Sequence, residues 1–415
     1  MRTTGAIVGT LAAAGMGLAP NATAADGEPQ QWYLEPMHIE QMWKTSTGKG
    51  VKVAVIDSGV NANTPSLKGQ VLGDEVPKSV AYRATVDYSG HGTSMAELIA
   101  GTGEGGGIRG LAPGAKIVPY RVETFDQSNA DREKTPQTYQ ALRAAADSNA
   151  KIINMSIGGM NSDEDKAAVK YAASKGKLLI ASVGNDGVPN APAILPYVVG
   201  VGAVDSSYEV TEFAKKSSHG FADLVAPGKD VPTWCDEKFR SYCKSAGTSQ
   251  AAALVSASAA LIWSAHPDWT VNQVTRALLD TAGRGWPKDE PSKYAGYGMV
   301  RPRVVLADSD YDAGAPDVDP LAKINGGDVL AKAGARDASD SDAADHSSSV
   351  PSASASAASQ APEKGSVDGT SAAGSHAEVA ADTNDSTLWI ALGAAGAVIV
   401  IGGGGAAVLR ARRAR

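Results

Sequence analysis

The sequence lacks a basic stripe, a calcium-binding loop and an internal repeat. Its 38 Lys and Arg are outnumbered by 45 Asp and Glu, and the net charge is −7, so nucleic acid is not expected as a partner. The Asp-rich stretch near the C-terminal end has no central glycine of a calcium loop and predicts solvated charge. The sequence therefore predicts neither a metal nor a cofactor, and its 415 residues suit one large domain with appendages.

Cysteine is also scarce. Cys235 and Cys243 are the only two in the chain, and both lie shortly before Ser249. Because the chain carries signs of export, a local disulfide between them is predicted, with two free buried thiols as the alternative.

Residues 245–253 have the sequence Ser-Ala-Gly-Thr-Ser-Gln-Ala-Ala-Ala and open an alanine-rich apolar run that reaches Trp263 without Gly or Pro. Such a run predicts a buried helix with Ser249 at its N-terminus. The hydroxyl of Ser249 could then act as a nucleophile, while its backbone N–H and the helix dipole face any negative charge that develops nearby.

A nucleophilic serine needs a histidine base, and the histidine needs an acidic partner. Residues 51–56 form a β-branched strand that ends at Asp57, followed by Ser-Gly, and His91 opens a second predicted helix. Parallel α/β sheets gather their functional groups at such strand ends and helix starts. Taken singly, Asp57 before Ser-Gly and Asn185 before Asp-Gly could each be an ordinary turn residue.

Three short motifs in this chain are more specific taken together than each is alone. Asp-Ser-Gly, His-Gly-Thr and Gly-Thr-Ser-x-Ala occur in this order, separated by 34 and 158 residues (91 − 57 and 249 − 91). This set resembles the signatures of the subtilisin-like serine proteases, whose chain order is Asp, His, Ser. The resemblance covers about residues 31 to 308.

The resemblance implies a role for each matching residue. Ser249 would attack the scissile carbonyl, His91 would take and return the proton, and Asp57 would orient His91. Asn185 would supply an oxyanion donor, and neither cysteine is expected to be catalytic. Substrate would contact two segments, one made of Ser156, Ile157 and Gly158 and the other of Ala181, Ser182, Val183 and Gly184.

Strands and helices alternate between residues 48 and 306, which predicts an α/β domain. The expected architecture is a subtilisin-like three-layer fold with a mostly parallel central sheet and helices on both faces, covering residues 25–308. Strands are predicted at 51–56, 116–121, 151–155, 177–182 and 198–203, and helices at 91–101, 135–149, 163–175, 249–265 and 270–281.

The N-terminal region predicts export. Arg2, an apolar stretch and Ala22-Thr23-Ala24 suit a signal peptide over residues 1–24, with a disordered tail as the alternative. The lead that follows, rich in Trp and Met, is too short for the separately folded propeptide usual in secreted subtilisins. It is expected to pack across the catalytic domain, because exposed aromatic side chains would forgo burial.

The C-terminal region predicts membrane attachment. Residues 309–386 are rich in Ala, Ser and Asp and predict a disordered linker. Residues 388–409 contain no charge and are long enough for a transmembrane helix, and the four arginines within 410–415 predict a basic cytoplasmic tail with the protease outside the cell membrane. A sorting signal with a removable apolar segment is the alternative.

This layout is similar to that of the mycosins, membrane-anchored subtilisin-like proteases of type VII secretion. The resemblance implies protein or peptide substrates and membrane components of a type VII secretion complex as partners. Two other classes stay open: a scaffold of that complex with latent or secondary proteolysis, and a cell-surface binding module.

Three positions depart from the usual motifs. Gln250 and Ala253 stand where Met and Pro are common after the serine, and Glu97 stands where a small residue is common after the histidine. None of them is expected to touch a catalytic atom. Glu97 is expected either to face outward or to mark a pocket of altered charge.

Overall fold

A six-stranded parallel sheet forms the centre of the molecule. The computed structural model describes residues 30–122 and 127–344. The strand order is β2-β1-β3-β4-β5-β6, and every neighbouring pair in it is parallel. The strands are β1 (Lys52–Asp57), β2 (Lys116–Arg121), β3 (Ile152–Met155), β4 (Leu178–Ser182), β5 (Val198–Val204) and β6 (Leu224–Pro227).

Helices cover both faces of this sheet. Larger ones are α2 (His91–Ala100), α4 (Thr138–Asp147), α5 (Asp163–Ser174), α7 (Thr248–Ala265) and α8 (Val271–Asp280). Shorter ones are α1 (Ile39–Thr45), α3 (Asn129–Arg132), α6 (Glu212–Ser218), α9 (Pro302–Leu306) and α10 (Ala322–Asn325), and α11 (Val329–Ala344) lies last.

Strand β1 shows how the core is divided. Val53 and Val55 pack into the cluster that contains α2 and α7, whereas Ala54 and Ile56 pack into the cluster that contains α4 and α5. Successive side chains of a strand point to opposite faces, so a strand covered on both faces needs an uninterrupted apolar run. The predicted α/β sheet is thereby confirmed, and its five predicted strands all form.

An antiparallel hairpin escaped the sequence analysis. It consists of β7 (Lys229–Trp234) and β8 (Tyr242–Ala246), and β8 continues directly into α7. Cys235 and Cys243 close its tip in a disulfide with 5.0 Å between their Cα atoms. The predicted disulfide is confirmed. Strand β6 was also missed, because four residues ending in proline give a weak strand pattern.

The N-terminal lead packs on the domain as predicted. Tyr33, Met37 and Met42 are buried in the larger core cluster. The indole N–H of Trp32 donates to the carbonyl of Lys229 at 3.0 Å, and that of Trp43 donates to the carbonyl of Leu111 at 2.8 Å. The lead therefore contributes apolar burial and several long-range hydrogen bonds.

Beyond Asp308 the chain remains packed, so the predicted boundary of a disordered linker at 309 was wrong for its first part. Leu321 and Leu330 are buried. Asn272 of α8 donates to the carbonyls of Pro316 and Leu330, at 2.9 Å each. This segment is poor in large apolar residues. It nevertheless packs on the domain, because a few apolar side chains are buried and Asn272 donates to two of its backbone carbonyls.

Four predicted segments lie outside the described residues: the signal peptide 1–24, the later linker, the transmembrane helix 388–409 and the tail 410–415. Among the helices of residues 30–122 and 127–344, none combines the length and apolarity needed to cross a bilayer.

Candidate active site

Asp57 and His91 meet at the carboxyl end of β1. Asp57 is 1% exposed, and its Oδ1 lies 2.7 Å from His91 Nδ1. A β-carbon added to Gly92 would lie 2.2 Å from the Gly59 carbonyl oxygen and 3.0 Å from the Asp57 β-carbon. The glycine after the histidine is therefore needed for the start of α2 to approach β1 this closely.

A second carboxylate, Asp87, organises the turn before His91. Its oxygens accept hydrogen bonds from the Ser58 hydroxyl at 2.9 Å, the Gly90 N–H at 2.9 Å, and the Thr93 N–H and hydroxyl at 2.8 and 2.6 Å. The Ser58 hydroxyl also lies 3.2 Å from Asp57 Oδ1. The sequence analysis missed Asp87, because an aspartate in a loop is most often a turn residue.

These charges decide the protonation of His91. Partial burial of the ring lowers its pKa, but attraction to Asp57, the hydrogen bond with Asp57 and attraction to Asp87 outweigh burial, so that the pKa is raised overall. The side chain is 40% exposed, and this leaves room for a substrate on its outer side. His91 can act as a general base, and the carboxylates of Asp57 and Asp87 stabilise its protonated form.

Ser249 lies in the first turn of α7 and is 7% exposed. Its hydroxyl donates to the Ser156 carbonyl at 3.4 Å rather than to His91. In return, the Ser156 hydroxyl donates to the Ser249 carbonyl at 3.1 Å. Rotation about the Cα–Cβ bond would redirect the Ser249 hydroxyl, and catalytic hydrogen bonds are often long or misaligned without substrate.

A buried polar chain supports this contact from below. The Ser256 hydroxyl donates to Asn154 Oδ1 at 2.9 Å, and Asn154 Nδ2 donates to the Ser156 hydroxyl at 3.1 Å. Asn154 and Ser256 are fully buried. Hydrogen bonds satisfy these polar groups and fix α7 against β3 beside Ser249. No sequence signal separated them from ordinary core positions.

Asn185 is oriented by Thr248, the residue before Ser249. Its Oδ1 accepts from the Thr248 N–H at 2.9 Å and from the Thr248 hydroxyl at 3.1 Å. Because the carbonyl oxygen of the amide is fixed in this way, Nδ2 is left as a donor on the other side. A β-carbon built on Gly247 would lie 3.4 Å from that nitrogen.

The two predicted substrate segments leave neighbouring strands. Ser156 to Gly158 continue β3, and Ala181 to Gly184 end and follow β4, with Met155 in register with Ala181. Ile157 and Gly158 are accessible, whereas Ala181, Ser182 and Val183 are buried. The first predicted substrate segment is therefore partly accessible, whereas the second is mostly buried.

Glu97 does not face outward, so that expectation was wrong. It is fully buried on α2, where it accepts hydrogen bonds from the hydroxyls of Thr64 at 2.7 Å and Tyr242 at 2.9 Å. Burial raises its pKa to about 7, and the hydroxyl donors oppose this effect. Glu97 thus joins the histidine helix, the loop after β1 and hairpin strand β8.

The hairpin also contacts the start of α2. The backbone N–H of Trp234 donates to the Ser94 hydroxyl at 3.0 Å, and that hydroxyl donates to the Gly90 carbonyl at 2.7 Å. One hairpin thus touches the turn before His91 and leads into Ser249. Within residues 30–122 and 127–344, no three His, Cys, Asp or Glu side chains converge as metal ligands.

Comparisons with known proteins agree with this geometry. Residues 48–298 match the Subtilase family. The chain is 35% identical over 284 residues to the Major intracellular serine protease of Bacillus subtilis (strain 168), covering 64% of this chain and 86% of that protein. It is 35% identical to Subtilisin E of the same organism, covering 57% of this chain and 61% of that protein.

A solved structure of MycP3 protease from the type VII (ESX-3) secretion system is also similar. Its TM-score is 0.54 with 27% identity, and the match covers 69% of this chain and 90% of that one. The family match spans more than half of the chain and includes Asp57, His91 and Ser249. The chain belongs to the subtilase family of serine proteases.

Proposed function

We propose that the protein is a serine endopeptidase that uses Asp57, His91 and Ser249 as its catalytic triad. The observation that carries the proposal is the 2.7 Å contact between Asp57 Oδ1 and His91 Nδ1, with a serine held at the N-terminus of a buried helix beside the same cleft. The contact fixes the tautomer of His91 and leaves Nε2 as the base.

The reaction follows from these positions. The Ser249 oxygen bonds to the scissile carbonyl carbon as His91 takes the hydroxyl proton, and the carbonyl oxygen becomes an anion. Asn185 Nδ2 and the Ser249 N–H are the donors for that anion. Collapse of the tetrahedral intermediate breaks the C–N bond, the amine leaves with the proton from His91, and water hydrolyses the acyl-enzyme by the same sequence of steps.

Substrate would bind as an extended strand along Ser156, Ile157 and Gly158. Ile157 and Gly158 are accessible, and main-chain hydrogen bonds along such an edge provide affinity for any peptide sequence. The side chain before the scissile bond would enter the cleft lined by Ala181, Ser182, Val183 and Gly184. Proteins or peptides are therefore the substrate class.

Covalent labelling tests the assignment of the nucleophile. Incubation of the full chain with a fluorophosphonate should give a single adduct, which mass spectrometry of the digested protein should place on Ser249. The native chain should also cut a random peptide mixture, and the labelled chain should not. A Ser245→Ala variant is the matched control, because Ser245 lies at the end of β8, four residues before Ser249, and its loss should not affect labelling. An adduct elsewhere, or none on folded protein, would refute the proposal.

We further propose that the protease is anchored in the cell membrane by residues 388–409, with the catalytic domain outside and residues 410–415 in the cytoplasm. The uncharged run and the arginines after it support this topology. The likeness to MycP3 supports a role in processing substrates or components of a type VII secretion system.

Membrane fractionation tests the anchor. The full chain should stay with membranes after a high-salt wash, whereas a chain ending at residue 387 should be released. Retention of the shortened chain would contradict the assignment. If secretion persists with Ser249→Ala but fails when the whole protein is absent, the role is that of a scaffold rather than a processing enzyme.

A further inference from the structure

The buried side chain of Glu97 joins three segments of the chain, and each of them carries one member of the proposed triad. Its carboxylate accepts hydrogen bonds from the hydroxyls of Thr64 and Tyr242, at 2.7 and 2.9 Å. Thr64 lies seven residues after the aspartate of the triad (64 − 57), and Tyr242 lies seven residues before the serine (249 − 242). Glu97 itself lies six residues after the histidine (97 − 91). One carboxylate thus contacts the loop after β1, helix α2 and strand β8.

These hydrogen bonds constrain the segments more strictly than apolar packing does. Helices α2 and α7 both belong to the larger apolar cluster, through side chains such as Ala96 and Ala252. Apolar burial is non-directional, whereas a hydrogen bond to a carboxylate requires a set distance and angle. Because Glu97 is fully buried, a shift that broke either bond would leave a polar group unpaired away from water.

The indole of Trp234 lies in the same cluster of side chains. Its ring stacks on that of Tyr242, with 4.0 Å between the ring centroids, and its N–H is buried without a hydrogen bond among the described residues. Burial raises the pKa of Glu97, and Thr64, Tyr242 and Trp234 each oppose that rise. The two hairpin strands therefore both present a polar group to the carboxyl group of Glu97.

The spacing that Glu97 would govern is the one between the histidine and the serine. Asp57 and His91 are already in contact at 2.7 Å, whereas the Ser249 hydroxyl donates to the Ser156 carbonyl at 3.4 Å. Proton transfer requires His91 and Ser249 to approach each other, and they lie on two of the segments that Glu97 joins. A misplacement of about 1 Å at such a site can lower a rate by about 100-fold.

We propose that Glu97 is a positioning residue that holds the helix of His91 and the strand leading to Ser249 at the separation needed for proton transfer. This inference rests on the proposed endopeptidase function. Glu97 contacts no reacting atom and acts through the hydroxyls of Thr64 and Tyr242. The small residue that is common at this position of the histidine motif could not accept either hydrogen bond, so this way of joining the segments is particular to the glutamate.

The kinetics of two Glu97 variants test the proposal. Glu97→Ala should lower kcat for one peptide by about 10- to 100-fold and leave KM within about threefold of native. The rate of Ser249 labelling by a fluorophosphonate should fall by the same factor, because labelling needs the same proton transfer but no bound peptide. Glu97→Gln can still hydrogen-bond to both hydroxyls and should keep kcat within about fivefold of native.

Tyr242→Phe tests the connection from its other end. This variant removes a single oxygen atom and should lower kcat by about 5- to 10-fold. In combination with Glu97→Ala it should cause no further loss, because the bond it removes is then already absent. Since the change is this small, Tyr242→Phe decides the matter if Glu97→Ala does not fold.

Asn272→Ala is the control for a general loss of stability. It removes a buried side chain that holds the segment after Asp308 on α8, so it should lower the thermal midpoint and leave kcat unchanged well below that midpoint. If Glu97→Ala and Tyr242→Phe also lower only the midpoint, or raise only KM, the inference is overturned. If the native chain neither cleaves a peptide mixture nor reacts with the fluorophosphonate, the proposed function itself fails.

Discussion

Replacing Ser249 with alanine should lower kcat for peptide hydrolysis by about 10⁶-fold, because the hydroxyl that forms the acyl-enzyme is removed while the binding cleft stays intact. KM should change little, since the Ser249 hydroxyl makes only one long hydrogen bond among the described residues, at 3.4 Å to the Ser156 carbonyl, and the main chain of the proposed substrate edge remains attached to β3. Steady-state kinetics on one peptide, with fragments identified by mass spectrometry, measures both constants.

The Ser249 experiment needs a control for damage to the segment that joins β8 to α7. Ser245→Ala removes a hydroxyl at the end of β8 that accepts a hydrogen bond from Gln250 at 3.0 Å, and it should keep kcat within about threefold of the native value. If kcat fell equally in both variants, the segment that joins β8 to α7, and not the Ser249 hydroxyl, would control activity. Residual activity of Ser249→Ala above about one hundredth of native would contradict the assignment of the nucleophile.

Replacing Asp57 with asparagine should lower kcat by about 10⁴-fold. Asparagine keeps the shape of the side chain but cannot stabilise the histidine cation and favours the wrong tautomer of His91. The variant should fold, because Asp57 is buried among groups that an amide can also contact. The drop should therefore appear in kcat/KM without a matching loss of the thermal midpoint.

The pH profile of the same variant has a predicted direction. Catalysis needs neutral His91, so native kcat/KM should rise with pH through the raised His91 pKa. Without the Asp57 charge, burial dominates and lowers that pKa, and the acid limb of the profile should move to lower pH. Asp186→Asn, which removes an exposed carboxylate next to Asn185, is the control and should leave the limb in place. A limb that moves upward in Asp57→Asn would contradict this account.

The sequence predicted the central sheet and the contact between Asp57 and His91, for a physical reason. Strands covered on both faces require uninterrupted apolar runs, and Asp57, His91 and Ser249 follow such runs or begin apolar helices. These patterns are local, so one sequence suffices to find them.

The residues that the sequence did not reveal depend on contacts between distant segments. Asn154 and Ser256 are 102 residues apart and meet only in the folded core. Asp87 accepts hydrogen bonds from the turn before His91, and no short sequence motif predicts the shape of that turn. The Asn190 side chain accepts a hydrogen bond from the Gly159 N–H, 31 positions earlier in the chain. Packing of the segment after Asp308 depended in the same way on a distant partner, Asn272.

Because of Glu97, the buried acid that contacts hairpin strand β8, stability and catalysis depend on pH in opposite directions. Glu97 has a pKa of about 7 in the folded chain and 4.5 ordinarily, so an unfolded chain gives up this proton more readily. The stabilisation that comes from keeping Glu97 neutral is complete below about pH 4.5 and is lost as the pH rises through 7. His91, in contrast, works as a base only after it has lost its proton. Acidification therefore increases the contribution of Glu97 to stability while it protonates His91 and removes the base that catalysis needs.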